Sequence, residues 1–277
     1  MSKTILVLGG GGTKGIAHVG AWRAIEEAGL AVDEVVGTSI GSLIGSLIAH
    51  RMPLDEMERR ARLLRKEQII GINRWALLFN GIRQASVFRD DPFRGYLAEV
   101  LPAERFEELP IPLAVNAVDL ETGLAEWFGA DGRHDVTLAE AIYASSALPP
   151  FFPPATIGGR LFVDGGVREV LALSRAKERG ADLVIAIDVG AGPVKDALDV
   201  VSKGMIAIQH RVNDIVTYTR RQARLQLWSG ARLVYVRPRL DGYSTFDFDS
   251  TDYFLEEGYR ATCEVLKRQG MGRRAAG

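Results

Sequence analysis

Short runs of β-branched and other apolar residues alternate along the chain with longer segments of helical periodicity. The apolar runs predict strands at residues 4–9, 33–39, 182–189 and 232–238, and hairpins at 112–129 and 155–166. The helical segments fall at about 14–28, 40–50, 54–68, 137–149, 167–180, 196–228 and 251–269. This alternation of strand and helix favours parallel strands joined by crossover helices.

The chain is long and apolar enough to bury a substantial core, with 277 residues of which 47% are hydrophobic. We found no internal repeat, linker or break in composition along it. The sequence therefore predicts an α/β fold, a three-layer α/β/α arrangement around a central, mostly parallel sheet. We expect one domain over residues 1–277, with a motif-bearing core at about 4–190 and a helical and strand extension of the same domain at about 191–268.

Charge and cysteine content narrow the class of protein. The 34 basic and 35 acidic residues leave a net charge of −1, which does not indicate a nucleic-acid partner. A single cysteine, Cys263, excludes internal disulfides and fits a reducing compartment. The N-terminal apolar run is too short for a signal peptide, and no apolar run is long enough to span a membrane. We expect a cytoplasmic protein, with peripheral membrane contact left open; an oligomer is possible but not indicated.

The first predicted strand runs into a glycine-rich loop, in the stretch TILVLGGGGTKGIAHVG at 4–20. Bare backbone N–H groups at the start of a helix can bind an anion. Gly10, Gly12 and Gly15 fit the dinucleotide pattern G-x-G-x-x-G, but the second strand does not end in the acidic residue that would hold a ribose. The P-loop pattern also fails, because Ile16 stands where a lysine is required. A bound nucleotide is therefore disfavoured.

A candidate nucleophile follows the second strand. Residues Gly37 to Gly41 read G-T-S-I-G between a strand and a helix, which is the context of a nucleophile elbow with Ser39 at its tip. A serine that only caps the following helix is the alternative. If Ser39 attacks a carbonyl, the amides of Gly10, Gly11 and Gly12 from the neighbouring strand could hold the oxyanion.

The base that would activate Ser39 is a second question. In the Ser, acid, His order of α/β-hydrolases, only His134 or His210 could serve, and neither lies in a strand-end turn. Asp164, in VDGG at the end of a hairpin strand, is the better candidate. A free aspartate is a weak base, so the site must desolvate the carboxyl or favour the alkoxide. An ordinary Asp-Gly-Gly turn is the alternative.

Together these motifs resemble the patatin-like phospholipases, and most of all their compact bacterial single-domain members. GGGGTKG is similar to the oxyanion motif of that family, with Lys14 at its basic position, GTSIG to its nucleophile elbow and DGG to its aspartate motif. The segment ASSALPPFFPP at 144–154 resembles the proline-containing segment that precedes the aspartate. The likeness extends from about residue 5 to 188 and implies a patatin-like fold.

The resemblance implies a hydrolase of fatty-acyl esters of (lyso)phospholipids or related lipids, with a Ser39–Asp164 dyad, an acyl-enzyme and neither metal nor cofactor. Its supporting motif residues are Lys14, Gly15, Gly37, Gly41, Gly165 and Gly166. Family members often continue after DGG with an Asn-x-Pro loop, whereas this chain reads VREVLALS at 167–174. A non-catalytic or regulatory lipid-binding protein and an acyltransferase to an acceptor other than water stay open as alternatives.

Two further segments are candidates for contact with lipid. Residues 69–89 are rich in aromatic and aliphatic side chains and predict either a lid or membrane-touching patch, or a segment packed on the core. The long helix at 196–228 places Ile208, Val212, Ile215 and Val216 on one face. We expect that face to pack on the core, ahead of a dimer seam or a membrane-surface helix, and the nearby Arg220, Arg221 and Arg224 to be solvated.

Overall fold

The computed structural model describes residues 2–72, 83–194 and 196–271. In these ranges, eight strands form the main sheet and two short strands form a separate ribbon. In chain order the strands are β1 Thr4–Leu8, β2 Glu34–Gly37, β3 Gly71–Ile72, β4 Phe88–Arg89, β5 Leu113–Asp119, β6 Ala125–Gly129, β7 Ala155–Ile157, β8 Arg160–Asp164, β9 Leu183–Ile187 and β10 Arg232–Val236.

The described residues also form eleven α-helices. In chain order they are α1 Ala17–Glu27, α2 Ile40–Ala49, α3 Leu54–Leu63, α4 Lys66–Ile69, α5 Asp91–Val100, α6 Leu138–Ser146, α7 Gly166–Glu169, α8 Leu173–Glu178, α9 Ala197–Ser202, α10 Met205–Gln226 and α11 Thr251–Arg268. A 3-10 turn at Gly12–Ile16 precedes α1, and another lies at Phe106–Glu108.

The sheet has the strand order β10-β9-β1-β2-β5-β8-β7, with β6 paired to β5. The β10-β9, β9-β1, β1-β2 and β2-β5 pairs are parallel, and β5-β6, β5-β8 and β7-β8 are antiparallel. The predicted α/β/α class with a mostly parallel sheet is confirmed. Two apolar clusters, one of them much larger, contain most of the buried side chains of the core.

Several local predictions are confirmed at the level of the backbone. Thr137 caps α6 by accepting a hydrogen bond from the amide of Glu140, whose carboxylate in turn accepts one from the Thr137 amide. Both predicted hairpins form, and Gly158 and Gly159 at the tip of β7-β8 have positive φ angles of 58° and 77°. The capping box and the hairpin turns are each specified by residues that lie close together in the sequence.

Other predictions need correction. The helix expected at 196–228 is two helices, α9 and α10, because Gly204 between them has a φ of 86° that interrupts the helical backbone. The helix expected at 167–180 is likewise divided into α7 and α8. Of the segment 69–89, β3 and β4 form an antiparallel pair, and residues 73–82, which carry most of the predicted lid, lie outside the described residues.

The region predicted as an extension of the motif-bearing core contributes to the same sheet. β10 pairs with β9 in parallel register, and α11 packs against α1, where Gly20 and Gly258 allow the two helices to approach closely. These contacts support one domain over residues 1–277, which stays a prediction. Within the described ranges, no helix is both long and apolar enough to cross a membrane.

Candidate active site

Two strands meet end to end along one edge of β5, and this brings the predicted nucleophile and base together. β2 runs parallel to β5 and ends with Gly37 beside Val115. β8 runs antiparallel to β5 and ends with Asp164 beside Ala117. The carboxyl ends of β2 and β8 therefore point towards each other, with only Asn116 of β5 between their last paired positions. Residues that follow β2 lie beside residues that end β8.

Ser39 occupies the sharp turn between β2 and α2. Its hydroxyl donates a hydrogen bond to Oδ2 of Asp164, and the two oxygens are 2.6 Å apart. Its φ of 55° is in the left-handed region, where a residue other than glycine carries about 1–3 kcal/mol of strain. The turn also requires Gly41, because a Cβ there would lie 2.2 Å from the carbonyl oxygen of Leu8. Gly37, the last residue of β2, packs against Ser42 in the same turn.

The carboxyl of Asp164 is buried and is a stronger base than a free aspartate. Only 3% of the residue is exposed. Burial raises the pKa of Asp164 from its ordinary value of 3.8 to about 6, and the hydrogen bonds from the Ser39 hydroxyl and the Gly166 amide lower it in part. The Gly166 amide donates to Oδ1 over 2.7 Å, so the two carboxyl oxygens have separate partners. Gly165 packs directly against Asn116, which fixes the turn after β8.

The C-terminal end of α6 holds both turns in place, which the sequence analysis did not predict. The Ser145 hydroxyl accepts a 2.8 Å hydrogen bond from the Ser39 amide, and the Ser145 carbonyl accepts one of 3.2 Å from the Gly165 amide. The carbonyl of Ala147 accepts a 3.0 Å hydrogen bond from the amide of Asp164. These residues belong to the segment at 144–154 that resembles the family's proline-containing segment. The sequence therefore marked the segment, but did not indicate that it positions Ser39 and Asp164.

The glycine-rich loop lies against the same site, with two of its three predicted donors free to act. The ideal Cβ position of Gly10 is 3.1 Å from Cβ of Ser39, so the loop touches the elbow. Within the described part of the chain, the amides of Gly11 and Gly12 make no hydrogen bond. The amide of Gly10 instead donates to the carbonyl of Val170 over 2.9 Å. This corrects the predicted set of three oxyanion donors, because the chain after DGG runs back alongside the loop and engages the first of them.

Two buried basic side chains, His18 and Lys14, lie beside the glycine loop. Nε2 of His18 lies 2.8 Å from the carbonyl oxygen of Gly9, and burial lowers the pKa of His18 to about 4, so the neutral ring donates this bond. Lys14 is also buried and lines the cavity that contains Ser39. Burial lowers the pKa of Lys14, an effect that the negative charge of Asp214 partly offsets. Gly15 packs against Ile40 at the start of α2.

Neither candidate histidine takes the place of Asp164 as the partner of Ser39. Nε2 of His210 lies 3.0 Å from the Thr245 hydroxyl, and His134 is on the surface with Nδ1 2.7 Å from Glu107. Throughout residues 2–72, 83–194 and 196–271, no histidine hydrogen-bonds to Ser39. In those same ranges, no three His, Cys, Asp or Glu side chains are grouped so that they could hold a metal ion.

Ser39 lines two cavities that differ in polarity. The first, of about 1240 Å³ with its open mouth included, is lined by the glycine loop, Asp164, Lys14 and residues of α10. The second, of about 910 Å³ measured in the same way, extends between α2, α3 and α5 and is mostly apolar, with Arg60 and Ser146 among its polar residues. Its lining includes Leu43, Leu47, Met57, Phe93, Tyr96 and Phe152. A substrate bound at Ser39 could thus place an apolar part on one side and a polar part on the other.

Known proteins resemble this chain in sequence. The sequence pattern of the family described as "Patatin-like phospholipase" matches residues 6–176. The chain is 30% identical over 284 residues to "Lysophospholipase NTE1" of Coccidioides immitis (strain RS), a match that covers 95% of this chain and 17% of that protein. It is 31% identical over 276 residues to "Patatin-like phospholipase domain-containing protein 6" of Mus musculus, covering 92% of this chain and 20% of that protein.

A solved structure shares the fold. The crystal structure of VipD from Legionella pneumophila superposes with a TM-score of 0.52 at 17% identity, covering 96% of this chain and 67% of that one. The chain spans about a fifth of the length of the two curated relatives named above. The resemblance inferred from the three motifs is confirmed: the chain belongs to the patatin-like phospholipase family.

Proposed function

We propose that this protein is a serine acyl hydrolase that cleaves fatty-acyl esters of (lyso)phospholipids or related lipids through a Ser39–Asp164 dyad. The observation that carries the proposal is the 2.6 Å hydrogen bond from the Ser39 hydroxyl to a buried carboxylate. Family membership supports the substrate class, since curated relatives are named lysophospholipases.

The reaction begins with attack of Ser39 Oγ on the ester carbonyl carbon as Oδ2 of Asp164 takes the hydroxyl proton. The carbonyl oxygen becomes an oxyanion, for which the amides of Gly11 and Gly12 are the available donors. Collapse of this intermediate expels the alcohol, which leaves with the proton from Asp164, and an acyl ester on Ser39 remains. Water then attacks that ester while Asp164 accepts its proton, and Ser39 regains a proton as the fatty acid leaves.

Two features make this dyad a workable base and nucleophile. Desolvation raises the proton affinity of Asp164, so that its pKa of about 6 is nearer to that of a useful general base. Ser39 also precedes the first turn of α2, a helix of ten residues whose positive end favours negative charge on the serine oxygen and on the oxyanion. Both effects act at the moment of attack, because the groups are already in position.

The apolar cavity beside Ser39 supports a fatty-acyl substrate. Each methylene group that leaves water for an apolar environment contributes about 0.8 kcal/mol. A chain that extends from Ser39 between α2 and α3 would be surrounded by aliphatic and aromatic side chains, among them Leu43, Leu47 and Met57. The alcohol part of the ester would then face the more polar cavity with Lys14 and Asp214.

The proposal is tested by hydrolysis of p-nitrophenyl butyrate by the wild type and by the Ser39→Ala and Asp164→Asn variants. We expect Ser39→Ala to abolish turnover and Asp164→Asn to lower kcat by about 10²–10⁴-fold. Equal rates in all three proteins would contradict the dyad. Absence of turnover in the wild type, on this ester and on lysophospholipids, would favour the non-catalytic lipid-binding alternative. Acylated acceptor in place of free fatty acid would favour the acyltransferase.

A further inference from the structure

The apolar residues of α10 face away from the protein. Met205, Ile208, Val212, Ile215 and Val216 recur at helical spacing on one side of the helix, and they are 70%, 42%, 47%, 48% and 40% exposed. The expectation that this side packs on the core is therefore wrong. A row of large apolar side chains on the surface is unusual for a helix of a soluble domain and marks an interaction surface.

The polar side of α10 is the one that packs against the protein. Arg221 is buried, and its Nε lies 2.8 Å from Oδ2 of Asp188, which follows β9. The ring of His210 lies on the same side and contacts Thr245. The expectation that Arg221 is solvated is also wrong, because this ion pair fixes the rotation of the helix. The exposed apolar row is thus a consequence of how α10 is anchored.

The apolar row borders the mouth of the cavity that contains Ser39. Val216 belongs to the row and also lines that cavity, together with Thr217 and Arg220 of the same helix. Leu120 and Val167, from other segments, are also exposed and line the same cavity. Exposed apolar side chains of three segments therefore line this cavity. The short helix α9 adds Leu198 and Val201, both well exposed, to the apolar surface of this part of the chain.

Charge on the outer side of α10 has one sign. Every position of this helix is described, and none of its exposed positions is Asp or Glu. Its exposed charged residues are Arg220 and Arg224, near the C-terminal end. Arg220 donates a hydrogen bond to the Val167 carbonyl, and Arg224 lies 3.3 Å from Glu169, so each also has a partner within the protein. An apolar row followed by arginines is the pattern of helices that lie in the headgroup region of a lipid bilayer, where anionic lipids add an electrostatic attraction.

We propose that the exposed side of α10, formed by Met205, Ile208, Val212, Ile215 and Val216, is a docking face for a lipid bilayer and orients the Ser39 cavity towards its substrate. This inference rests on the proposed function, since a bilayer is where a lipid ester is found. A protein partner seated on the same side chains would cover the cavity mouth, whereas a bilayer both occupies the face and supplies the substrate through it.

The test is flotation of the protein with vesicles of ether-linked phosphatidylcholine, with and without ether-linked phosphatidylglycerol. Both lipids lack the acyl ester bond, so the enzyme cannot hydrolyse them during the measurement. We compare the wild type with Ile208→Gln/Val212→Gln/Ile215→Gln, whose positions do not line the Ser39 cavity. The matched control is Leu63→Gln on α3, because Leu63 is 51% exposed and thus as accessible as Ile215. Hydrolysis of p-nitrophenyl butyrate by each protein monitors the fold and the active site.

We expect the triple variant to bind vesicles at least about tenfold more weakly than the wild type, with unchanged turnover of the soluble ester. Leu63→Gln should bind as the wild type does, and phosphatidylglycerol should strengthen binding. Wild-type protein that hydrolyses the soluble ester but does not float, or a triple variant that floats as well as the wild type, would overturn the docking face. So would a wild-type dimer in sedimentation that the triple variant dissociates, since a second copy would then cover α10. Vesicle binding without any ester turnover would instead contradict the proposed function alone.

Discussion

The hydroxyl of Ser145 accepts a 2.8 Å hydrogen bond from the backbone amide of Ser39, a residue 106 positions earlier in the chain. The carbonyl of the same Ser145 accepts the amide of Gly165, next to Asp164. One residue at the end of α6 thus fixes both turns of the candidate dyad. Because Ser39 is held in a strained backbone conformation, loss of this bond would let the elbow relax.

We therefore expect Ser145→Ala to lower kcat for a soluble ester by about tenfold or more, with a smaller change in KM, since positioning of the nucleophile is affected rather than binding. The matched control is Ser46→Ala in α2, another buried serine, whose hydroxyl donates to the Leu43 carbonyl within its own helix. Steady-state kinetics on p-nitrophenyl butyrate measure the effect. Equal kcat values for Ser145→Ala and the wild type would show that Ser145 does not position Ser39.

The pH dependence of turnover follows from the carboxyl of Asp164. Below its pKa of about 6 this group is protonated and cannot accept the Ser39 proton, so kcat/KM should rise with pH and level off above pH 7. The rise should report an apparent pKa near 6, well above the value of about 3.9 for a free aspartate. The measurement is kcat/KM for p-nitrophenyl butyrate between pH 4.5 and 8.5. A profile that is flat across this range would contradict Asp164 as the base.

The same pKa shift predicts that the dyad costs stability. A carboxyl whose pKa is raised from 3.8 to about 6 on folding stabilises the folded state in its protonated form, and this contribution is lost as pH rises through 6. At pH 8 the buried charge costs about 3 kcal/mol, which Asp164→Asn removes. We expect the free energy of unfolding of Asp164→Asn, relative to the wild type, to increase between pH 4 and pH 8. Urea unfolding at both pH values measures it, and a difference that falls with pH would be the opposite result.

The apolar cavity predicts a dependence on acyl-chain length that can be changed by design. Leu64 is partly exposed and lines this cavity, so Leu64→Trp adds bulk without forcing a large side chain into the centre of the core. We expect kcat/KM for p-nitrophenyl laurate to fall about tenfold and that for the butyrate to stay within about twofold, because only the longer chain reaches the added ring. Leu63→Trp, at the neighbouring exposed position, is the control. Parallel losses on both esters would argue against an acyl site between α2 and α3.

The parts of the fold that the sequence predicts are those encoded by neighbouring residues. The strand-turn-helix at Ser39, the capping box at Thr137 and the two hairpins each depend on a few consecutive side chains. The motifs also select Ser39 and Asp164 as a candidate pair, because each is embedded in a characteristic glycine pattern. The glycine-rich loop alone predicts Gly10, Gly11 and Gly12 as donors, but not that the amide of Gly10 donates to Val170.

What the sequence does not predict depends on contacts between distant segments. The end-to-end meeting of β2 and β8 requires the register of both strands on β5, which periodicity does not encode. The role of Ser145 requires α6 to end beside both turns. The rotation of α10 places Arg221 in a long-range ion pair with Asp188, a contact that the amphipathic pattern does not encode.

The proposed mechanism requires that Ser39 is the nucleophile and Asp164 its base. The most direct measurement is labelling by a fluorophosphonate, which forms a covalent bond only with an activated serine, followed by peptide mass spectrometry and by the rate of labelling in Asp164→Asn. We expect one adduct per chain, on Ser39, and labelling slowed by about 10²-fold or more in Asp164→Asn. An adduct on another residue, or an equal rate of labelling in both proteins, would contradict it.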